Sequence, residues 1–157
     1  MVTREMSLAI VNEELPPADA YALRHGWVLR WHAEELFLLA ETFHPANGDP
    51  FRLRADLDNY KAQPPVWRSI VPGSLDVVGK FPAAGPPLPG MASIFHTQRL
   101  ICAPFSRLAF KEYGGPHQDW NGDGNWLQVR GNVTATTLAE MIAQITVHLA
   151  RSPGWMS

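Results

Sequence analysis

One cysteine, Cys102, is all the thiol that 157 residues supply. An internal disulfide is therefore excluded, as is a four-cysteine zinc site within one chain, and nothing points to an oxidising compartment. Excess charge is lacking as well: 13 Lys and Arg against 15 Asp and Glu leave a net charge of -2. That is too little positive field to draw nucleic acid or an anionic membrane, and neither is expected as a partner. Long apolar runs are missing too. No segment approaches the roughly 20 apolar residues of a membrane helix, and Glu13 and Glu14 interrupt the start too soon for the apolar stretch of a signal peptide. A cytoplasmic protein is the expectation.

Turn formers and aromatics are what the chain has instead, with 14 Pro, 12 Gly and 10% aromatic residues. The length suits a single domain over 1–157, large enough to bury roughly two-thirds of its unfolded surface without staples. Residues 3–25 carry Met6, Ile10, Leu15, Tyr21 and Leu23 around Pro16-Pro17, which predicts a short helix, a break, and a second helical turn ended by Gly26. From Trp27 the pattern changes to short aromatic runs: Trp27–Trp31, Leu36–Phe43, and Phe51–Leu57, where Phe51, Leu53, Ala55 and Leu57 alternate with polar residues. These read as strands, and Asn47-Gly48 between the second and third supplies the positive φ of a hairpin turn. Val66–Ile70 gives a fourth strand, stopped by Pro72.

The Pro/Gly-rich stretch 81–90 is expected to be an ordered surface loop. Residues 111–132 read as irregular, with Gly114-Gly115-Pro116 and Asn121-Gly122-Asp123-Gly124 as reversals. Helix then returns: Thr136 or Thr137 caps a segment whose Leu138, Met141, Ile142, Ile145 and Leu149 share one face, ended by Ser152-Pro153-Gly154. The fold class is α+β, a helix, a four-stranded antiparallel meander, an irregular segment with the cysteine, and a C-terminal helix packed on the sheet.

That order, with Tyr60-Lys61-Ala62-Gln63-Pro64-Pro65 closing the meander and Phe95-His96-Thr97-Gln98-Arg99-Leu100-Ile101-Cys102 after it, resembles the ubiquitin-conjugating enzymes. In that family a Tyr-Pro-x-x-Pro-Pro-like element precedes the fourth strand, a His-Pro-Asn motif follows, and the catalytic cysteine stands in Ile-Cys-Leu. A Trp and a Leu-rich helix come next, matched here by Trp120 or Trp126 and by 138–149. The likeness spans about residues 3–152. Pro-Asn is absent between His96 and Cys102, the segment is shorter, and the family's two final helices are missing. Such a trimmed form is similar to the bacterial relatives found in ubiquitin-like conjugation operons, some of them tied to antiphage defence.

The resemblance implies that Cys102 accepts a ubiquitin-like modifier as a thioester and passes it to an acceptor amine. A thiolate suits both steps, being a strong nucleophile and a good leaving group. It also implies an activating-type enzyme as partner, met through the N-terminal helix with Arg4 and Arg24. The plain alternative is a packed strand end, since free cysteine is among the most buried residues. His96 and His117 are candidates to take a proton from the thiol or an attacking lysine. As alternatives, His96 ties the loop backbone, as the family's histidine does, and His117 is a solvated loop residue. The Gln98 amide is a candidate oxyanion donor in place of the missing asparagine.

Asp119 and Trp120 are candidate substrate contacts in a flap beside the cysteine. Asp119-Trp120-Asn121-Gly122-Asp123-Gly124 copies the opening of a calcium loop, but position twelve is Arg130 and Gly114-Gly115-Pro116 forbids the flanking helix, so an EF-hand is rejected. Cys102, His96 and His117 have no tight zinc-ligand spacing, and the six Trp residues are core and interface material; no metal or cofactor is expected. Two other activities compete with transfer: non-catalytic binding of a ubiquitin-like protein on the same fold, and thiol hydrolysis by Cys102 with His117.

Overall fold

The computed structural model describes residues 2–129 and 133–157; Arg130, where the calcium-loop comparison ended, lies outside them. Helix α1 (Arg4–His25) opens the chain, its first turn capped by the Thr3 hydroxyl accepting from the Met6 N–H at 3.2 Å. Gly26, at φ 77°, ends it in the left-handed conformation. The break expected at Pro16-Pro17 does not occur, because helix runs straight through both prolines. Each ring nitrogen forfeits one intrahelical bond. Yet Ser7, Val11, Ala18 and Ala22 recur on one buried face on both sides of the prolines, and this face packs against the C-terminal helix. Tertiary burial, added to the Ser7 hydroxyl donating to the Tyr60 carbonyl at 2.6 Å, outweighs the two lost bonds.

The meander follows as expected: β1 (Val28–His32), β2 (Phe37–Phe43), β3 (Pro50–Asp56) and β4 (Val66–Ile70) form one antiparallel sheet in sequence order. Ala55 sits opposite Leu38 on one side and Trp67 on the other, so Leu38, Ala40, Phe51, Leu53, Ala55 and Trp67 face the core together. The other face carries the small Phe37, Leu39 and Ile70 cluster, with the Arg54 guanidinium 3.9 Å above the Phe37 ring. Between β2 and β3 the His44 N–H donates to the Asp49 carbonyl at 2.7 Å, and Gly48, at φ 79°, turns the chain.

Helix α2 (Leu138–Arg151) starts at Thr137, whose hydroxyl accepts from Glu140 N–H, and buries Leu138, Met141, Ile142, Ile145 and Leu149 as the pattern requires. Glu14 binds three parts of the fold at once. Its carboxylate accepts from the Tyr60 hydroxyl at 2.7 Å, from Lys61 Nζ at 2.9 Å and from the Leu138 N–H at 2.9 Å. The 81–90 stretch runs past the end of α2, where the Ala83 N–H donates to the Gly154 carbonyl. Among the described residues no helix is long and apolar enough to cross a membrane.

Candidate active site

After β4 the chain makes a two-stranded hairpin, β5 (Phe95–His96) and β6 (Leu100–Ile101), and Cys102 follows directly. Its backbone is pinned: the Cys102 N–H donates to the Ile94 carbonyl at 2.6 Å. The Ile94 N–H in turn points at Nδ1 of His148 on α2, 3.4 Å away. Helix α2 thus holds the strand that holds the cysteine. Beyond Cys102, Ala103-Pro104-Phe105-Ser106 forms a turn closed by the Ser106 N–H on the Ala103 carbonyl at 3.0 Å, with proline at the second position, where its fixed φ fits.

Arg107 anchors this turn to the Pro-Pro element. Its N–H donates to the Pro65 carbonyl and its Nε to the Pro64 carbonyl, both at 2.9 Å, while Nη2 reaches the Asp58 carbonyl at 2.7 Å. The guanidinium is only 6% exposed, so the end of the meander and the cysteine segment are joined by a buried charge-assisted set. Two 3-10 turns (Arg107–Ala109, Lys111–Tyr113) lead to Gly114 at φ 78°. The chain then doubles back so tightly that a Cβ on Gly115 would lie 2.2 Å from the Ala109 carbonyl carbon. The His117 N–H donates to the Ala109 carbonyl at 3.2 Å, and its ring arrives over the cysteine.

The outcome is a line of three side chains. His117 Nε2 lies 3.0 Å from Cys102 Sγ, and His117 Nδ1 lies 3.3 Å from Asp119 Oδ1. The imidazole is stacked on Trp120, centroids 3.7 Å apart and planes at 3°, and Trp120 rests on Phe110 at 4.9 Å. Because a carboxylate only accepts, the Asp119 contact assigns the hydrogen to Nδ1 and leaves Nε2 as the acceptor facing the thiol.

Cys102 is half-buried, and burial, with the Asp119 charge nearby, pushes its thiol up to about 11. At neutral pH only roughly one molecule in ten thousand would carry the thiolate by itself. A nucleophilic role for this thiol would therefore require proton transfer to His117 rather than a standing thiolate.

The sequence candidates separate accordingly. Cys102, His117, Asp119 and Trp120 come together; Asp119 is exposed and meets His117, and Trp120 is buried beneath the imidazole. His96 and Gln98 are carried into the hairpin turn, where the Gln98 N–H donates to His96 Nδ1 at 3.1 Å. The turn stands roughly 10 Å along the strands from Cys102. His96 thus has the backbone-tying role. Trp126 donates its indole N–H to the Lys61 carbonyl at 3.1 Å, which fastens the flap to the Tyr60-Lys61 element. Among the described residues no group of three or more His, Cys, Asp or Glu gathers as a metal site. His148 escaped sequence reading because it falls on an apolar helix face, and Gly115 is legible only as part of a reversal, not as the close approach to Ala109.

No protein-family model, curated protein or solved structure matches this chain.

Proposed function

We propose that the protein is a ubiquitin-conjugating-enzyme-like thioester carrier, with Cys102 as acyl acceptor and His117 as its proton acceptor and donor. The observation that carries the reading is the 3.0 Å contact between His117 Nε2 and Cys102 Sγ. It is supported by the element order of helix, meander, Pro-Pro element and cysteine segment, and by Arg107 binding the last two together.

In the first half-reaction, the C-terminal carbonyl of a ubiquitin-like protein arrives as a thioester on an activating-type enzyme. Sγ attacks the carbonyl as its proton passes to Nε2, and the departing thiolate of the donor takes that proton back. In the second, an acceptor amine attacks the Cys102 thioester and loses a proton to Nε2, and Sγ leaves and is reprotonated. Asp119 steadies the imidazolium formed in each step. Arg4 donates to the Ala33 and Glu34 carbonyls, so Arg24, exposed on the last turn of α1, is the arginine of that helix left open to an activating enzyme.

One observation favours a second reading. Asp119, His117 and Cys102 stand in the order of a hydrolytic triad, in which water replaces the amine. Incubation with a Gly-Gly-ending peptide thioester, followed by intact-mass spectrometry, tests both. Transfer gives a hydroxylamine-labile adduct that accumulates on the wild type, is lost in Cys102→Ala and is discharged by added amine. Steady release of peptide acid without adduct build-up establishes hydrolysis instead. No adduct and no release, from the peptide and from the complete system of activating enzyme, ATP and modifier, leaves a non-catalytic binder and overturns the proposal.

A further inference from the structure

A cleft sharing no lining residue with the Cys102 site lies where β3 begins and β4 ends and has a volume of about 300 Å³, at the lower limit of small-molecule sites. Its walls are firm. Trp155 packs on Phe51 at 5.7 Å and edge-on to His44 at 4.8 Å, and its indole N–H donates to Asp49 Oδ2 at 3.0 Å. Opposite, the chain leaves β4 at Val71 and returns so closely that a Cβ on Gly79 would lie 2.6 Å from the Ile70 carbonyl carbon. The Gly79 N–H closes this excursion on the Ser69 carbonyl at 3.1 Å.

The polar lining, taken group by group, narrows what fits. The Ser69 hydroxyl is spent on the Lys80 carbonyl. One Asp49 oxygen is spent on the Trp155 indole. Arg52 gives Nη2 to Glu41 at 2.9 Å and Nη1 to the Ser74 carbonyl at 2.6 Å, and its Nε is sealed from solvent. Lys80 alone keeps an uncommitted positive charge: it is exposed, has no acidic partner among the described residues, and sets Nζ 5.9 Å from the Trp155 ring centroid, while the second Asp49 oxygen also stays open. An apolar cleft with one free ammonium beside an aromatic wall matches a ligand of one hydrocarbon body and one anionic group. Sugars and nucleotides, which need several open donors and acceptors, do not fit that inventory.

We propose that this cleft binds a small free carboxylic acid with an apolar or aryl body, which lies against Trp155, Phe51 and Ile70 while its carboxylate meets Lys80. The inference is independent of the Cys102 chemistry. It is tested by titrating 3-phenylpropanoate into ¹⁵N-labelled protein and following the Trp155 indole N–H resonance, identified by its loss in Trp155→Phe. A saturable shift is expected, weakened about tenfold by Lys80→Met and by the neutral 3-phenylpropanamide, as for the loss of one charge-assisted bond. Lys80 is a surface residue, so its replacement leaves the fold intact. Equal binding of acid and amide overturns the proposal, as does insensitivity to Lys80→Met. Tighter binding of L-phenylalanine would instead assign the free Asp49 oxygen to an ammonium. Binding of a peptide ending in a Phe carboxylate, with none of the free acid, would assign the cleft to a chain terminus.

Discussion

The imidazole of His117 lies flat on the indole of Trp120, with ring centroids 3.7 Å apart and planes 3° from parallel. A ring held in that plane keeps Nε2 on Cys102 and Nδ1 on Asp119 together. Stacking, more than the Asp119 bond, fixes it: the Asp119 side chain is 78% exposed, and a contact open to water holds a ring weakly. Trp120 is 5% exposed and braced by Phe110. The candidate base is therefore positioned by packing.

Trp120→Leu is expected to slow adduct formation on Cys102 by about 10- to 100-fold, the cost of a reacting group displaced by roughly 1 Å. It also costs about 2–4 kcal/mol of stability as a large-to-small core change. Trp120→Phe preserves a stacking face and should retain most of the rate. Single-turnover mass spectrometry at a temperature where all three proteins are folded makes the comparison, and equal rates for the Leu and Phe variants would remove the stack from the mechanism.

Much of this geometry was legible in the sequence. Strand alternation over 51–57 and the apolar face over 138–149 fixed the sheet and α2, because period-2 and period-3.6 burial are local signals. Cys102 and His117 were legible as candidates, but the geometry of their contact was not, since fifteen residues of irregular chain have no period. Pro16-Pro17 misled for the opposite reason: a strong local signal was overridden by the burial of Ser7, Val11, Ala18 and Ala22. His148 was invisible because its role is a bond to a backbone N–H far off in sequence.

Asp119→Asn should move two rates in opposite directions. The Asp119 charge helps to push the Cys102 thiol up to about 11, so its removal lowers that value and speeds iodoacetamide alkylation at pH 8. The same change replaces the charged acceptor of His117 Nδ1 with a neutral amide that stabilises an imidazolium less well, so adduct formation from the peptide thioester slows, by about tenfold or less for so exposed a group. Alkylation that slows in step with transfer would show that the carboxylate does not act on the thiol.

Stability should fall as the solution is acidified from pH 7 to pH 5. His44 is held below its ordinary value of 6.5 by burial, against smaller opposing effects of the Gly154 carbonyl and Asp49. His148 is held below it by burial and by Arg151. Both fold as neutral rings, so below about 6.5 the unfolded chain binds more protons. Their contribution is complete above 6.5 and is lost as pH drops through the folded values, at up to about 1.4 kcal/mol per pH unit for each ring. Urea denaturation at half-unit intervals measures the slope, and His148→Phe should flatten it. Protonating Nδ1 of His148 also removes the acceptor of the Ile94 N–H, so adduct formation should decline over the same range.

Gly115→Ala is expected to damage the site from outside it. The added methyl would lie 2.2 Å from the Ala109 carbonyl carbon and 2.3 Å from its oxygen, and neither is the yielding end of a side chain. Overpacking of this kind costs about 1–3 kcal/mol, a fall in Tm of roughly 2–12 °C for a chain of this size. The strain falls on the return that carries His117 to the Ala109 carbonyl, so adduct formation should drop even where the protein remains folded. Gly124→Ala is the control, because its Cβ meets nothing within 4 Å. Equal Tm and equal adduct rates for the two variants would mean that the Gly115 approach does not position His117, and that the ring reaches Cys102 through its stack on Trp120 alone.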